Sequence, residues 1–235
     1  MNVLGIFARR PESGRTKTRL AASIGNDKAA ELYAAFLEDL LSRTIKRQEQ
    51  CVVAVTPRDT NTETWFQKHI SGNSELHFQP DGNLGDRIQW FFETAFTKGA
   101  KRVVLIGSDS PDIPDSIIDQ AFERLTSTDL VLAPAADGGY VLIGLSCQVP
   151  KLFENIPWSA AITLTETISA ARQNRLRVEL LPPWYDIDTV DNLGTLFAMQ
   201  QTAGSVASTC PQTFRHLESI WPQIQQSMAA QDSGN

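Results

Sequence analysis

Cysteine and histidine are scarce in this sequence. Each occurs three times: Cys51, Cys147, Cys210, His69, His77 and His216. The cysteines are far apart and form no CxxC pair, and the histidines lack the spacing of metal ligands. A disulfide framework and a zinc site are therefore not expected, and a reducing compartment fits the composition.

Long apolar runs are also missing. No stretch approaches the roughly 20 apolar residues of a transmembrane helix. The first apolar run, Val3 to Ala8, is followed by its charges, whereas a secretory signal has them in front. We expect a cytoplasmic protein with no membrane partner.

An excess of positive charge is absent as well. The 235 residues carry a net charge of -6, with 21 Lys and Arg against 27 Asp and Glu. Nucleic-acid binding depends on clustered Lys and Arg, so no nucleic-acid partner is expected. Binding of a small anionic ligand is still compatible with this composition. The length suits one large domain with a substantial core.

Short apolar runs alternate with longer amphipathic stretches along the chain. The predicted strands are Val3 to Ala8, Cys51 to Thr56, Leu76 to Gln79, Arg102 to Gly107, Leu130 to Ala133, Val141 to Leu145 and Val178 to Leu181. The predicted helices are Asp27 to Lys46, Thr62 to Ile70, Asp86 to Lys98, Pro114 to Leu125, Leu164 to Asn174 and Val190 to Gln200. This order predicts an α/β, doubly wound fold with a mixed, mostly parallel sheet and helices on both faces.

The last part of the chain is predicted to be an appendage of the main domain. Residues 1–202 are assigned to the α/β domain and residues 203–235 to a C-terminal helical appendage. Its amphipathic stretch, Gln212 to Ser227, carries apolar residues at helical spacing. We interpret it as a packing helix or as the contact of a homodimer.

The first strand is followed by a loop rich in cations. Its five basic residues are Arg9, Arg10, Arg15, Lys17 and Arg19. They surround Pro11 and Gly14 and face one acid, Glu12. Because positioned Arg and Lys offset phosphoryl charge, the loop is predicted to bind a polyphosphate. The alternative is a solvated basic loop. The loop matches neither the Walker A nor the GxGxxG pattern.

A second unusual strand end is GSDSP. Asp109 follows a predicted buried strand and a glycine, which suits a carboxylate ligand of a hard cation such as Mg²⁺. The alternative is that Asp109 caps the next helix, although Asp112 and Asp115 are better placed to do so. Asp109 is therefore a candidate metal ligand.

A third is DIDTVD, where carboxylates alternate as a strand gives way to a helix. Asp186, Asp188 and Asp191 form this cluster, and either Asp188 or Thr189 could be only the helix cap. The cluster is denser in carboxylates than a cap requires, so a cap alone does not account for it.

Between these strand ends, Asp137, Gly138 and Gly139 separate two apolar strands. Asp-Gly is a strong hairpin signal, so a turn is predicted that could also line a pocket. Trp158 lies on a predicted loop, where such a residue either packs or provides a platform for a ligand.

Five motifs, taken in order, resemble the DUF2064 family, also called rSAM/selenodomain-associated transferase 1. They are KTRL, GSDSP, PAADGGYVLIGL, IPWS and DIDTVDNL. That family is similar to the nucleotide-diphospho-sugar transferase (GT-A) superfamily, so the resemblance implies a Rossmann-like GT-A fold. It also implies a divalent metal, Mg²⁺ or Mn²⁺, on the donor phosphates, and a nucleotide donor with a small-molecule acceptor as partners.

By the same resemblance, Lys17 and Arg19 would contact phosphate, and Asp109 and Asp188 would bind the metal. Asp186 is the reserve ligand. The candidate catalytic residues are Lys17, Asp109 and Asp137. The candidate nucleotide-binding residues are Ala8, Arg9, Gly14, Lys17, Arg19 and Ser108. The candidate acceptor-binding residues are Asp137, Gly138, Gly139 and Trp158.

Two reaction classes fit these residues best. One is nucleotidyl transfer from a nucleoside triphosphate to a phosphorylated or hydroxylated acceptor, and the other is glycosyl transfer from a nucleotide sugar. The cationic loop favours the first, because leaving pyrophosphate carries more charge than a leaving nucleoside diphosphate. A phosphatase is also considered, because DIDT fits an Asp-x-Asp-x-Thr nucleophile motif, as is a non-catalytic binding module.

Overall fold

The structure, a computed structural model, describes residues 1–44, 46–203 and 206–232, and side chains within 1–44, 46–199 and 208–226. Ile45, in the predicted helix Asp27 to Lys46, lies outside the described residues. So do residues 204–205 and 233–235 of the predicted appendage.

Within the described ranges, seven strands form one sheet. They are β1 (Asn2–Arg9), β2 (Gln50–Thr56), β3 (Ser74–Phe78), β4 (Arg102–Ile106), β5 (Leu130–Pro134), β6 (Tyr140–Leu145) and β7 (Val178–Leu180). Their order is β3-β2-β1-β4-β6-β5-β7. The pairs β1–β4, β2–β3 and β5–β7 are parallel, and β6 is antiparallel to both β4 and β5. The predicted mixed, mostly parallel sheet is confirmed.

The helices follow the predicted alternation, with two additions. They are α1 (Thr18–Ile24), α2 (Asn26–Thr44), α3 (Thr60–Gln67), α4 (Leu84–Thr97), α5 (Asp115–Arg124), α6 (Thr163–Gln173), α7 (Val190–Ala203), α8 (Val206–Thr209) and α9 (Pro211–Asp232). The short helices α1 and α8 were not predicted from the sequence.

The chain divides into two compact units. The first comprises residues 1–8, 44–107 and 113–185, and it contains the sheet with α3 to α6. Its core includes Phe91 and Phe92 of α4 and Val103 of β4, which pack together almost without exposure. Strands that are buried on both faces of a parallel sheet consist of continuous apolar runs, and these runs made the strands recognisable in the sequence.

The second unit comprises residues 9–43, 108–112 and 186–235. Helix α2 forms much of its interior, because its apolar side chains recur every three or four residues and are buried. They include the predicted set Ala30, Leu32, Tyr33, Phe36, Leu37, Leu40 and Leu41. Helix α9 contacts α1, α7 and α8 and buries Phe214, Leu217 and Ile220. Packing is thus established for this stretch.

Candidate functional site

The second unit contains an open cleft of about 300 Å³. It is lined by Arg9, Arg15, Thr16, Lys17, Thr18, Arg19, Tyr33, Asp109 and Asp188. These residues come from three stretches of chain: the one after β1, the one after β4 and the one after β7. Residues from all three chemically unusual strand ends therefore line this cleft.

Lys17 lies between the two predicted metal ligands. Its Nζ is 2.7 Å from Asp109 Oδ1 and 2.9 Å from Asp188 Oδ1. The Lys17 side chain is 5% exposed, whereas the two carboxylates are 45% and 41% exposed. Burial alone would lower the pKa of Lys17, but the charges of Asp109 and Asp188 outweigh it and hold that pKa above its ordinary value. Lys17 is therefore a fixed cation.

The backbone of Lys17 is as unusual as its side chain. Lys17 has φ 49° and ψ 47°, a left-handed conformation, and it precedes the first residue of α1 without a side-chain cap. A residue other than glycine rarely adopts this conformation, and such outliers cluster at functional sites. The bend turns the basic loop into α1.

Three arginines add positive charge to the cleft. Arg9, Arg15 and Arg19 line it, and Arg15 and Arg19 are 65% and 77% exposed. Arg19 Nη1 is 3.8 Å from Asp188 Oδ2, and Arg15 Nη1 is 3.6 Å from Glu12 Oε1. Such exposed pairs are weak, so these side chains remain available for an anionic ligand. Four cations thus line the cleft against two carboxylates.

The other predicted nucleotide-binding residues have different surroundings. Among the described residues that line the cleft, Ala8, Gly14 and Ser108 do not appear. Ala8 belongs to the first unit and is buried. Gly14 has φ 75°, which its turn in the basic loop requires. Ser108 is 4% exposed and hydrogen-bonded to Tyr33, and it directly precedes Asp109 in the chain.

Tyr33 was not predicted as a site residue. Its hydroxyl is 2.7 Å from Ser108 Oγ, and it accepts a hydrogen bond of 3.2 Å from the backbone N–H of Arg9. Burial and the charge of Asp109 raise its pKa to about 12, so the phenol stays protonated. In the sequence, Tyr33 fits the apolar face of α2, and only its polar hydroxyl on a buried face distinguishes it.

The reserve ligand Asp186 also lies in the second unit. Its Oδ1 accepts a hydrogen bond of 2.8 Å from Ser110 Oγ. Burial raises the pKa of Asp186 to about 6, and the nearby charges of Asp109 and Asp188 add to this rise. A carboxyl group with this raised pKa ionises less readily, so Asp186 is a weaker candidate for a metal ligand than the exposed Asp188.

The cap of α7 is Thr189, not Asp188. Asn192 Oδ1 accepts hydrogen bonds from the backbone N–H groups of Asp188 and Thr189, and Thr189 Oγ1 accepts one from Asn192 N at 3.4 Å. The reciprocal bonds between Thr189 and Asn192 begin the helix. The Asp188 carboxylate is left for Lys17.

Neither Asp112 nor Asp115 occupies the cap position of α5. The residue before α5 is Pro114, which has no side-chain cap bond. Asp115 lies in the first turn of α5, 3.7 Å from Arg47, and Asp112 is 5% exposed. Asp109 lies too far from the helix start to cap it.

The predicted acceptor residues lie together in the first unit. Asp137 Oδ1 accepts a hydrogen bond from Gly139 N at 3.0 Å, which forms the predicted turn between β5 and β6. Gly138 has φ 87°, and a Cβ there would lie 2.1 Å from the Ala161 carbonyl oxygen. Only glycine fits this position. Trp158 packs against Tyr140, with ring centroids 6.4 Å apart.

Two features are absent among the described residues. No group of three or more His, Cys, Asp and Glu side chains there is arranged to hold a metal ion. Within the same ranges, no helix has the length and hydropathy that a membrane crossing needs. The DIDT motif follows β7, the last described strand, whereas the phosphatase hypothesis requires it after the first.

Solved structures with this fold include nucleotide-using enzymes. The chain is similar to a protein from Desulfovibrio desulfuricans G20 that is provisionally identified as a nucleotide-diphospho-sugar transferase. The two are 33% identical, with a TM-score of 0.87 over 96% of this chain and 97% of that one. This similarity and the sheet order confirm the predicted Rossmann-like GT-A fold.

Two more distant structures share the fold alone. A cytidylyltransferase from Leptospira borgpetersenii is 18% identical, with a TM-score of 0.53 over 95% of each chain. The 4-diphosphocytidyl-2C-methyl-D-erythritol synthase of Anaerococcus prevotii is 12% identical, with a TM-score of 0.57 over 85% of this chain and 96% of that one.

The family comparison agrees with the motifs. No curated protein matches the chain. Residues 40–160 match the family DUF2064, described as uncharacterized proteins conserved in bacteria. That match covers half of the sequence and includes GSDSP, PAADGGYVLIGL and IPWS. The chain belongs to the DUF2064 family.

Proposed function

We propose that this protein is a metal-dependent nucleotidyltransferase. It would join a nucleoside triphosphate to a small phosphorylated or hydroxylated acceptor and release pyrophosphate. The observation that carries this proposal is the cleft in which Lys17 is held by Asp109 and Asp188 while Arg9, Arg15 and Arg19 line the walls. The similarity to the Desulfovibrio desulfuricans protein supports a nucleotide-using transferase as the wider class.

The reaction is a displacement at the α-phosphorus of the donor. An oxygen of the acceptor forms a bond to this phosphorus, and the bond to the oxygen that bridges toward the β-phosphate breaks; a hydroxyl acceptor releases its proton to the solvent. The electron pair leaves with pyrophosphate. Negative charge therefore builds up on the leaving group, and the four cations of the cleft are placed to offset it.

Asp109 and Asp188 fit a divalent cation. Both carboxylates reach one shared cation, the Lys17 ammonium, so their oxygens converge on a single point. Mg²⁺ binds one or two protein carboxylates and completes its shell with water and substrate phosphate, and both carboxylates are partly exposed toward the cleft. Bound there, Mg²⁺ or Mn²⁺ would neutralise charge on the donor phosphates. Lys17 would then be free to contact phosphate.

The acceptor is assigned to the turn of the first unit. We propose that Asp137, with Gly138, Gly139 and Trp158, binds it, because Asp137 is exposed and only one of its oxygens is used by the turn. Asp137→Asn is expected to lower turnover about tenfold or more while donor affinity stays within about twofold. Steady-state kinetics and calorimetry would measure the two effects. A collapse of donor affinity would instead place Asp137 in the nucleotide pocket.

Glycosyl transfer is the second candidate. It is favoured by one observation, the 33% identity with a protein provisionally identified as a nucleotide-diphospho-sugar transferase. The same cleft would then bind the diphosphate of a nucleotide sugar. The charge of the cleft favours the triphosphate donor, which carries more negative charge.

A thermal-shift panel of nucleoside triphosphates and nucleotide sugars, with and without Mg²⁺ or Mn²⁺, separates these functions. A ligand at 100 times its Kd adds about 2.7 kcal/mol to the free energy of unfolding. We expect stabilisation by a triphosphate that requires the metal. Lys17→Ala should remove about 1 to 3 kcal/mol of binding free energy. Arg215→Ala, in the same unit but on α9, is the matched control. No metal-dependent stabilisation by any nucleotide would refute the proposal.

A further inference from the structure

Tyr33 joins two of the chain stretches that form the cleft. It lies on α2 and is 4% exposed. Its hydroxyl contacts the backbone N–H of Arg9, where the basic loop begins, and Ser108 Oγ, in the residue before Asp109. A single buried atom thus connects the loop that carries Lys17 with the segment that carries Asp109.

Burial of the Tyr33 hydroxyl costs hydration free energy, and its hydrogen bonds offset that cost. A buried hydroxyl without partners loses its hydration, whereas Tyr33 finds two partners on different segments. The Arg9 N–H donates to the phenol oxygen, and the protonated phenol can donate to Ser108. A phenylalanine would pack equally well on α2 and would leave the Arg9 N–H and the Ser108 hydroxyl without this partner. Packing alone therefore does not explain a tyrosine here.

The ring of Tyr33 also contributes to the cleft. Lys17 Nζ lies 6.0 Å from the ring centroid of Tyr33 and 5.8 Å from that of Phe36. The two rings pack edge to face, with centroids 6.4 Å apart. Ammonium groups are attracted to aromatic faces at about this distance. Two buried rings thus flank the ammonium that the carboxylates hold.

We infer that Tyr33 is a positioning residue of the candidate site, which fixes Lys17 and Asp109 relative to each other through its hydroxyl and its ring. Only the use of the site by a nucleotide rests on the proposed function. The positioning itself is a property of the free protein and can be tested without any substrate.

The test is the rate at which an amine reagent modifies Lys17, followed by peptide mass spectrometry on the folded protein. Tyr33→Phe removes the hydroxyl with both of its hydrogen bonds and keeps the ring, so Lys17 should be modified at least about five times faster, the effect expected for one lost hydrogen bond. Tyr140→Phe is the matched control, since Tyr140 is a partly buried tyrosine of the first unit that contacts Trp158. It should leave the Lys17 rate unchanged.

Two further measurements separate positioning from packing. Ser108→Ala removes the other end of the same hydrogen bond, so it should also accelerate Lys17 modification, and the double variant should add little to either single one. Thermal unfolding checks that all variants are folded. If the reagent modifies Lys17 at the wild-type rate in both Tyr33→Phe and Ser108→Ala, the inference is overturned.

Nucleotide binding is measured in parallel to keep the two proposals apart. Faster Lys17 modification in Tyr33→Phe without nucleotide binding by the wild type would support the positioning role and refute the proposed function. Nucleotide binding by the wild type, with an unchanged rate of Lys17 modification in Tyr33→Phe, would support the proposed function and refute the positioning role.

Discussion

Lys17 is the residue on which the charge balance of the cleft depends. Its ammonium is the only group that contacts both Asp109 and Asp188 among the described ion pairs. Without a cation, two carboxylates that converge on one point repel each other. If the proposed function is right, the lysine and a divalent metal would compete for the same pair of carboxylates as long as no nucleotide is bound.

The first prediction follows from this competition. Lys17→Met removes the ammonium and should tighten Mn²⁺ binding in the absence of nucleotide by about tenfold or more, because the two ion pairs of the buried ammonium no longer have to be broken. The signal of free Mn²⁺ in electron paramagnetic resonance would measure the affinity. Arg19→Gln, which changes an exposed pair at 3.8 Å, should alter it by less than about twofold. Equal or weaker Mn²⁺ binding in Lys17→Met would mean that the two carboxylates do not bind a metal ion together.

A second residue-scale prediction concerns Asp186 in the metal-free protein. Its pKa rises from 3.8 to about 6 in the folded state, so the folded protein holds this proton more tightly than the unfolded chain. The associated stability is fully present below about pH 4 and is lost as the pH rises through 6. Asp186→Asn keeps an oxygen to accept the Ser110 bond and removes the charge.

The Asp186→Asn variant should therefore unfold less readily than the wild type at pH 7.5. The gain in the free energy of unfolding should be about 2 to 3 kcal/mol, the equivalent of two pKa units, and it should disappear near pH 4. Urea denaturation with a chelator present, at both pH values, measures the difference. A gain that is equal at both pH values would assign the effect to something other than the titration of Asp186.

At the scale of elements, the strands were predictable and part of the basic loop was not. All seven strands lie within two residues of their predicted bounds, because buried strands require apolar, β-branched runs. Helix α1 was missed because its start is marked by Lys17 in a left-handed conformation, not by a Ser, Thr or Asp cap. Its first residues, Thr18 and Arg19, were assigned to a loop.

The grouping of the candidate residues was predictable to a similar degree. The ends of strands point to Asp109 and Asp188 because carboxylates after buried strands are chemically unusual. The ion pairs with Lys17 were not predictable, because Lys17 and Asp188 are 171 positions apart and their contact depends on the bend at Lys17. Tyr33 was not recognised as a site residue for another reason. A tyrosine and a phenylalanine are equivalent in a periodic pattern of apolar residues.

The start of α9 gives a prediction at this scale. Asp39 of α2 is 1% exposed and accepts hydrogen bonds from the backbone N–H groups of Gln212 and Thr213, at 3.0 and 2.7 Å. It thus caps α9 from a different helix. Asp39→Asn loses one acceptor and the charge, so the free energy of unfolding should fall by about 1 to 3 kcal/mol.

Chemical denaturation of Asp39→Asn measures this loss. Glu31→Gln is the matched control on the exposed surface of the same helix, and it should change the free energy of unfolding by less than about 0.5 kcal/mol. If the two variants are equally stable, Asp39 does not contribute the cap that the geometry shows.

At the scale of the whole molecule, the cleft belongs to a unit made of three separate stretches of chain. Its residues come from 9–43, 108–112 and 186–226 within the described side chains, and each stretch provides at least one group of the cleft. The unit contains little of the sheet, so its order depends on contacts between residues far apart in sequence. A ligand that joins Lys17, Asp109 and Asp188 should therefore stabilise all three stretches together.

Hydrogen–deuterium exchange tests this coupling. A nucleoside triphosphate with Mg²⁺ should slow amide exchange in 9–43, 108–112 and 186–226 together, by up to about 100-fold when the free nucleotide exceeds its Kd a hundredfold. Residues 74–97, which form β3, α4 and their connection in the first unit, provide an internal reference that should change much less. The Asp188→Asn variant should lose the protection in all three stretches at once, because the residues that hold the donor act as one unit. Protection confined to the turn at 137–139 would contradict this assignment, since the donor would then be bound by the first unit.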